Sequence, residues 1–325
     1  MPRPHPRALL SRLAGVVASV VLVLWGAATL AFAAFRIIPG DPVSVMLGPQ
    51  AQVSEAVKAG IRSDLGLDRP VWEQYAAFLG RLMRGDLGES YQLRQPVVDV
   101  IGRQLGPTLQ LSALALVFAV VVALGSALLV RGRTGRAVAS GIELVVLSSP
   151  VFWTGLVLLS VFSFQLGWFP VSGARDGAAI VLPAVTLALP VAALLSQVLR
   201  DGVEAAEREP FLLTVRARGA APLRESVHHT LRHASVGGVT LAAYLVGSLL
   251  GGAVLVETVF ARPGIGRVTL TAITDRDLPV ITGVILLSAL VFVVVNTIVD
   301  LVVPLIDPRL RAAGPALSAR TGVPA

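Results

Sequence analysis

Hydrophobic and polar positions fall into long blocks along this chain rather than into short alternation. A membrane-crossing helix needs about 20 apolar residues, because the hydrocarbon core is about 30 Å thick and the helix rises about 1.5 Å per residue. Six stretches free of Asp, Glu, Lys and Arg reach that length. They lie between Arg12 and Arg36, Arg103 and Arg131, Glu143 and Arg175, Asp176 and Arg200, His233 and Glu257, and Asp277 and Asp300. The third is longer than one span requires. The pattern predicts an all-α membrane protein with six transmembrane helices, over 13–35, 104–130, 137–166, 180–200, 236–258 and 278–303. A long polar segment, 36–103, separates the first two helices and is expected to sit in water, as are 1–12, 131–136, 167–179, 201–235, 259–277 and 304–325.

The first stretch has a second reading, a cleaved signal peptide with Arg3, Arg7 and Arg12 as its basic region and Ala31-Phe32-Ala33 as its cleavage site. Its apolar run exceeds the roughly 7–15 residues of such a segment, which favours a retained span.

Arginine placement sets the orientation. With the N-terminus inside, the cytoplasmic segments, Arg200 at the edge of its loop included, hold fifteen basic residues against six acids, while 36–103 holds eight of each. The expected location is therefore the cytoplasmic (inner) membrane, with both termini cytoplasmic. The net charge of +7 reads as a topology signal, and no basic soluble face is left over for nucleic acid.

Composition narrows the chemistry. With 54% hydrophobic and only 14% charged residues and a mean hydropathy of +0.77, an ordinary cytosolic enzyme is excluded. There is no cysteine, hence no disulfide, thiolate metal site or thiol nucleophile. The lone lysine, Lys58, is followed by Ala59, so no phosphate-binding G-x-x-x-x-G-K-[ST] loop exists. ATP energy, if used, must come from another chain. His228, His229 and His233 cluster without a carboxylate or cysteine at ligand spacing, so no metal site and no cofactor are expected. Neither G-x-S-x-G nor H-E-x-x-H occurs, and no catalytic residue is assigned.

The loop between the fourth and fifth spans is the most informative. Leu213, Thr214, Val215, Arg216, Ala217 and Arg218 form a polar helical run that Gly219 ends, since glycine takes the left-handed conformation freely. Pro222 suits the first turn of the next helix, which carries Arg224 and Glu225. Two readings are open: a rigid helix–turn–helix knob that transmits force to a partner, or a solvated positive-inside loop. Its length favours a task.

In the fifth span, Gly247 and Gly251, and Ser248 and Gly252, form two small-xxx-small pairs that let helices approach closely or border an opening pathway. Glu257 lies at its outer end, five residues before Arg262; a carboxylate there must sit at the interface, be paired or line a watery cavity, and pairing with Arg262 is expected. Glu143 and Asp300 are expected to face water. Pro263, Gly264, Ile265 and Gly266 read as an outer turn.

Several runs, in order, resemble the membrane subunit of dipeptide and oligopeptide importers of the ATP-binding-cassette class, the first permease of the pair. They are Ile38-Pro39-Gly40-Asp41-Pro42, Leu65-Gly66-Leu67-Asp68-Arg69-Pro70 with Gln74-Tyr75, Gly85-Asp86-Leu87-Gly88, Pro107-Thr108-Leu109, and Pro150-x-Phe152-Trp153. Further along come Leu182-Pro183-Ala184-x-Thr186-Leu187-Ala188, Thr214-x-Arg216-Ala217-x-Gly219, Val256-Glu257-x-Val259-Phe260, Pro263-Gly264-Ile265-Gly266, Arg276-Asp277-x-Pro279-Val280 and Asp307-Pro308-Arg309-x-Arg311.

The resemblance implies the type I importer fold, in which two permease chains pair, here as a heterodimer within membrane lipids. Two ATPases dock beneath and an extracytoplasmic substrate-binding protein delivers cargo. It places Leu213–Gly219 at the E-A-A-x-x-x-G coupling element, where Gly219 matches. Leu213 and Val215 depart from the glutamate and the second alanine; this branch often reads Arg-Thr-Ala at the first three positions, so the missing glutamate is expected. Pro210-Phe211 replaces the family's usual Asp-Tyr. Peptides are the implied cargo; nickel complexes, glutathione and oligosaccharides are handled by permeases of the same architecture. An ion-gradient transporter is the competing class, but only Glu257 is available as an intramembrane ion site.

Overall fold

The structure is a computed structural model that describes residues 6–37, 42–47, 53–64, 66–173, 177–210, 212, 215, 217 and 230–306. Helices α1 (Pro6–Ile37), α2 (Pro42–Leu47), α3 (Glu55–Asp64), α4 (Val71–Leu82), α5 (Val97–Leu129), α6 (Gly132–Ser148), α7 (Val151–Leu158), α8 (Val181–Glu207), α9 (Leu231–Val259), α10 (Ile265–Thr274) and α11 (Leu278–Ile306) follow in order, with no strand among the described residues. Helices α1, α5, α8, α9 and α11 are each long and apolar enough to cross a membrane, and α6 with α7 makes a sixth span if the bent pair is taken as one.

Contacts divide the chain into two compact units, Met1–Thr108 with Pro263–Val293, and Leu109–Arg262 with Val294–Ala325. In the second unit α8 is the centre: 61% of its apolar window is buried, against 24% for α9. The close approach of α8 to α9 rests on three glycines. A Cβ on Gly202 would stand 2.8 Å from the Ala234 Cβ, one on Gly252 2.8 Å from Leu187 Cδ1, and one on Gly238 would overlap Leu199. As the position on α8 falls from 202 to 199 to 187, its partner on α9 rises from 234 to 238 to 252, so the helices run antiparallel in contact along most of their length. Leu245, Leu249, Ala253 and Val256 line the buried face of α9. From α5 the core receives Leu111, Ala115, Ala119, Ala123 and Ala127, one every four residues, which is the spacing of a single helix face. Val117, Val121 and Val122 point away and are exposed.

In the first unit, Phe32 of α1 packs against Tyr75 and Phe78 of α4, with ring centroids 5.2 and 5.6 Å apart. Thr29 Oγ1 and the Tyr75 hydroxyl are 2.7 Å apart. Gln74 donates from Nε2 to the Leu67 and Arg69 carbonyls at 2.9 and 2.7 Å and accepts from Arg36. The Leu67–Gln74-Tyr75 run is thus a stapled turn fastened to α1. A second core joins Val97 and Ile101 of α5, Ala272 of α10, and Val280 and Val284 of α11. Gly283 admits Val97 and Ile101, which would lie 2.6 and 2.7 Å from a Cβ there.

The elements depart from the sequence expectation at four places. The single helix expected over 137–166 is replaced by α6 and α7, bent through 105°. Ser149 is extended (φ −88°, ψ 130°) because it precedes Pro150, whose ring disfavours helical geometry one residue upstream. A π-helical stretch, Leu159–Gln165, continues α7. Within 36–103 the chain forms α2, α3 and α4, and α5 begins at Val97 rather than 104. Helix α8 runs on to Glu207, past the expected end at 200. Finally, residues 259–277 contain α10; the turn falls at Phe260-Ala261, Pro263 and Gly264 lead into the helix, and Ile265 and Gly266 already belong to it.

Candidate functional site

Helix α8 leads straight into the segment that carries the candidate coupling residues. Beyond Glu207, Arg208–Pro210 turn, Leu212 is buried, Val215 is half-buried and Ala217 is exposed, the last two in helical conformation. Leu213, Thr214, Arg216, Arg218, Gly219, Pro222, Arg224 and Glu225 lie outside the described residues, as do His228 and His229. His233 falls in the first turn of α9.

Charged groups cluster on the turns of α8 just before that segment. Arg200 donates from Nη1 and Nη2 to the two carboxylate oxygens of Glu143 on α6, the Nη2 bond being 2.6 Å long, and Nη1 also reaches Ser126 Oγ of α5 at 2.8 Å. Glu143 is only 6% exposed. The expectation that it faces water is therefore wrong: Arg200, four helical turns beyond Thr186 on another helix, neutralises it. Two turns along, Arg136 of α6 pairs with Glu204 at 3.0 Å and Glu207 at 3.7 Å, and Arg208 pairs with Glu204 at 2.5 Å. Asp300, the other acid expected to face water, has no described side chain.

Within this chain, the small residues of α9 do not all pack against another helix. A Cβ at Gly247 or Gly251 would meet nothing within 4 Å, and Ser248 is exposed, donating to the Leu245 carbonyl at 2.7 Å. Only Gly252 packs, against Leu187. The reason is helical phase: the buried line through 245, 249 and 253 leaves 247 and 251 on the opposite face.

Glu257 is fully buried beside Val256 and Phe260, and Arg262 is 5% exposed. The Arg262 amide donates to the Glu257 carbonyl at 2.8 Å. Burial pushes the Arg262 guanidinium below its ordinary range, and the Glu257 carboxylate pulls it back up. Arg262 Nε is buried with no hydrogen-bond partner among the described residues.

In the first unit, Asp277 is a junction that sequence reasoning quoted without a role. It is 3% exposed. Its carboxylate accepts from the Ser90 hydroxyl and from the amides of Tyr91, Gln92 and Val280, the last three at 3.3, 3.4 and 3.5 Å. Thr108 plays a comparable part, its Oγ1 accepting from the Ile265 amide at 2.8 Å at the start of α10. A polar side chain next to a helix start, Asp277 before Leu278, was the available signal. Alongside α10 a cleft of about 230 Å³ is lined by Gln92, Gln104, Pro263, Arg267, Thr271 and Asp275.

Residues 91–312 match the family described as binding-protein-dependent transport system inner membrane component, and residues 7–112 match its N-terminal region. The di/tripeptide transport system permease protein DppB of Pseudomonas aeruginosa is 35% identical over 334 residues, covering 93% of this chain and 99% of that one. The glutathione transport system permease protein GsiC of Escherichia coli K12 is 34% identical over 308 residues, covering 93% and 98%. Among solved structures, the inward-facing MetNI methionine ABC transporter superposes with a TM-score of 0.51 at 20% identity, over 64% of this chain and 96% of that one, a likeness of fold.

Proposed function

The chain belongs to the family of binding-protein-dependent transport system inner membrane components and is an ABC importer permease, and from that premise we propose that its cargo is short peptides. The observation that carries this is the 35% identity, over nearly the whole of both chains, to a permease named for di- and tripeptides. The 34% identity to a permease named for glutathione, itself a modified tripeptide, keeps that cargo as the second reading.

In this reading the N- and C-termini, the segment 131–136 and the segment 201–235 face the cytoplasm, and 36–103 with 262–277 face the delivering binding protein. Arginine asymmetry supports the orientation. The chain pairs with a second, homologous permease, and two separate ATPases dock on residues 213–225, around Thr214, Arg216, Ala217 and Gly219. Supporting this, α8 is the most buried of the spans and runs without a break to Glu207, at the edge of that segment. ATP-driven closure of the ATPases then displaces the segment and, with it, the end of α8. A ligand moves such an equilibrium only by its differential affinity for the two states.

The test is uptake of labelled dipeptide, tripeptide and glutathione into proteoliposomes holding the permease pair, with ATPases inside and binding protein outside. Peptide uptake that requires ATP supports the reading. Uptake by this chain alone on a proton or sodium gradient overturns it. Labelling of 36–103 only from the cytoplasmic side overturns the orientation.

A further inference from the structure

The ion pairs between α6 and α8 form a ladder whose geometry exceeds what stability asks for. Glu143 and Arg200 are both largely withdrawn from solvent, their side chains 8% and 10% exposed. A buried ion pair is often no more stabilising than apolar residues of the same volume, because desolvation offsets the attraction. What a two-pronged arginine–carboxylate contact adds is fixed orientation. Here it comes with a second rung: Arg136 is seven residues before Glu143, and Glu204 and Glu207 are four and seven residues after Arg200. The rungs thus stand about two helical turns, or roughly 10 Å, apart on antiparallel helices. One rung would allow pivoting; two prevent both pivoting and sliding. Ser126 ties α5 to the same arginine.

Beyond the ladder the two helices have different neighbours. Helix α8 passes into the segment after Glu207, whereas α6 ends at Ser148, five residues after its buried Glu143, and turns through 105° into α7. Helix α7 is wedged at Gly155, where a Cβ would stand 3.2 Å from Thr186 of α8 and 3.4 Å from Val259 and Phe260 at the end of α9. Helix α6 therefore follows α8, α7 is held between α8 and α9, and the Ser149–Pro150 joint between them is where relative motion is taken up.

We infer that Glu143, Arg200 and Arg136, with Glu204 and Glu207, are positioning residues for transport: they clamp α6 to α8, so that displacement of the segment after α8 reaches the bend at Pro150. The inference rests on the reading that ATPases dock on 213–225. Loss of a rung leaves the parts in place and loosens the link between ATP use and cargo movement.

The experiment uses the whole complex in proteoliposomes and measures three quantities: ATPase subunits retained, ATP hydrolysed, and peptide moved per ATP. In E143Q the ATPases stay bound and peptide moved per ATP falls about tenfold, within the usual span of coupling free energies. The charge-exchanged pair E143R/R200E recovers at least half of the loss. R136Q, at a side chain 40% exposed and tolerant of change, gives a fall in the same ratio of about threefold, the scale of one partly exposed ion pair. An unchanged ratio in R136Q and E143Q overturns the inference, and so does an exchanged pair as defective as E143Q. Should E143Q fail to assemble, R136Q decides alone. Wild-type complexes in which the ATPases crosslink elsewhere than 213–225 overturn the docking reading itself, independently of the ratio.

Discussion

Asp277 reaches back across 187 positions to take the hydroxyl hydrogen of Ser90. With the Tyr91 and Gln92 amides and the start of α11 on the same carboxylate, one side chain closes the first unit's longest loop. Replacing it by alanine leaves buried donors unmet. We expect D277A to destabilise the unit by about 3 kcal/mol and S90A by about 1–2 kcal/mol, hydrogen bonds to a charged group being the stronger kind. Limited proteolysis across residues 84–95, followed with temperature, reads both; equal protection in D277A and wild type counts against the clasp.

The antiparallel glycine contacts of α8 and α9 separate two kinds of glycine on one helix. G238V forces a side chain into Leu199 and is expected to cost about 1–3 kcal/mol or more, as overpacking does. G251V enters open space and leaves this chain's stability within about 0.5 kcal/mol, the range of substitutions away from packed features. Thermal unfolding of the solubilised chain distinguishes them. If G251V alone impairs pairing with the second permease, its face is an intersubunit contact.

Burial raises the Tyr91 hydroxyl above its ordinary value of 10.0, with Asp277 adding to the rise and Arg81 opposing it. Tyrosine is neutral when protonated, so the folded state keeps this proton longer than the unfolded chain. The associated stability is complete below pH about 10 and is lost as pH climbs from there through the folded value. An absorbance titration of tyrosinate should lose its latest-ionising component in Y91F, and alkaline loosening of residues 84–95 should begin at lower pH in wild type than in Y91F.

Gly219 follows the polar run of the segment on which we propose that the ATPases dock. G219P removes an amide hydrogen and fixes φ, and we expect peptide uptake to fall at least about tenfold, a coupling-scale loss, with ATP hydrolysis by the complex persisting. Uptake at the wild-type rate removes the turn from the mechanism.

Much of this architecture was legible because membrane spans announce themselves by length. Charge-free windows located α1, α5, α8, α9 and α11, since no water is available to hydrogen-bond a broken backbone in lipid. The joint at Pro150 was visible as a proline, but neither its angle nor the fate of Glu143 was. A carboxylate's partner on another helix is a tertiary fact; Arg200 is 57 positions away. The small-residue signal was incomplete for a similar reason. It marks a helix able to pack closely but not the face on which it does so, and the equally plain run Ala115, Ala119, Ala123 and Ala127 proved to be the buried one. Of the coupling candidates, Leu213, Thr214, Arg216, Arg218, Gly219, Pro222, Arg224 and Glu225 rest on the sequence alone.

Because Gly202, Gly238 and Gly252 bring α8 and α9 together almost backbone to backbone, the stretch between Glu207 and Leu231 joins two rods already fused along their flanks. Splaying them would pull Leu187, Leu199 and Ala234 out of the spaces the glycines leave for them, so the two helices stand as one packed unit.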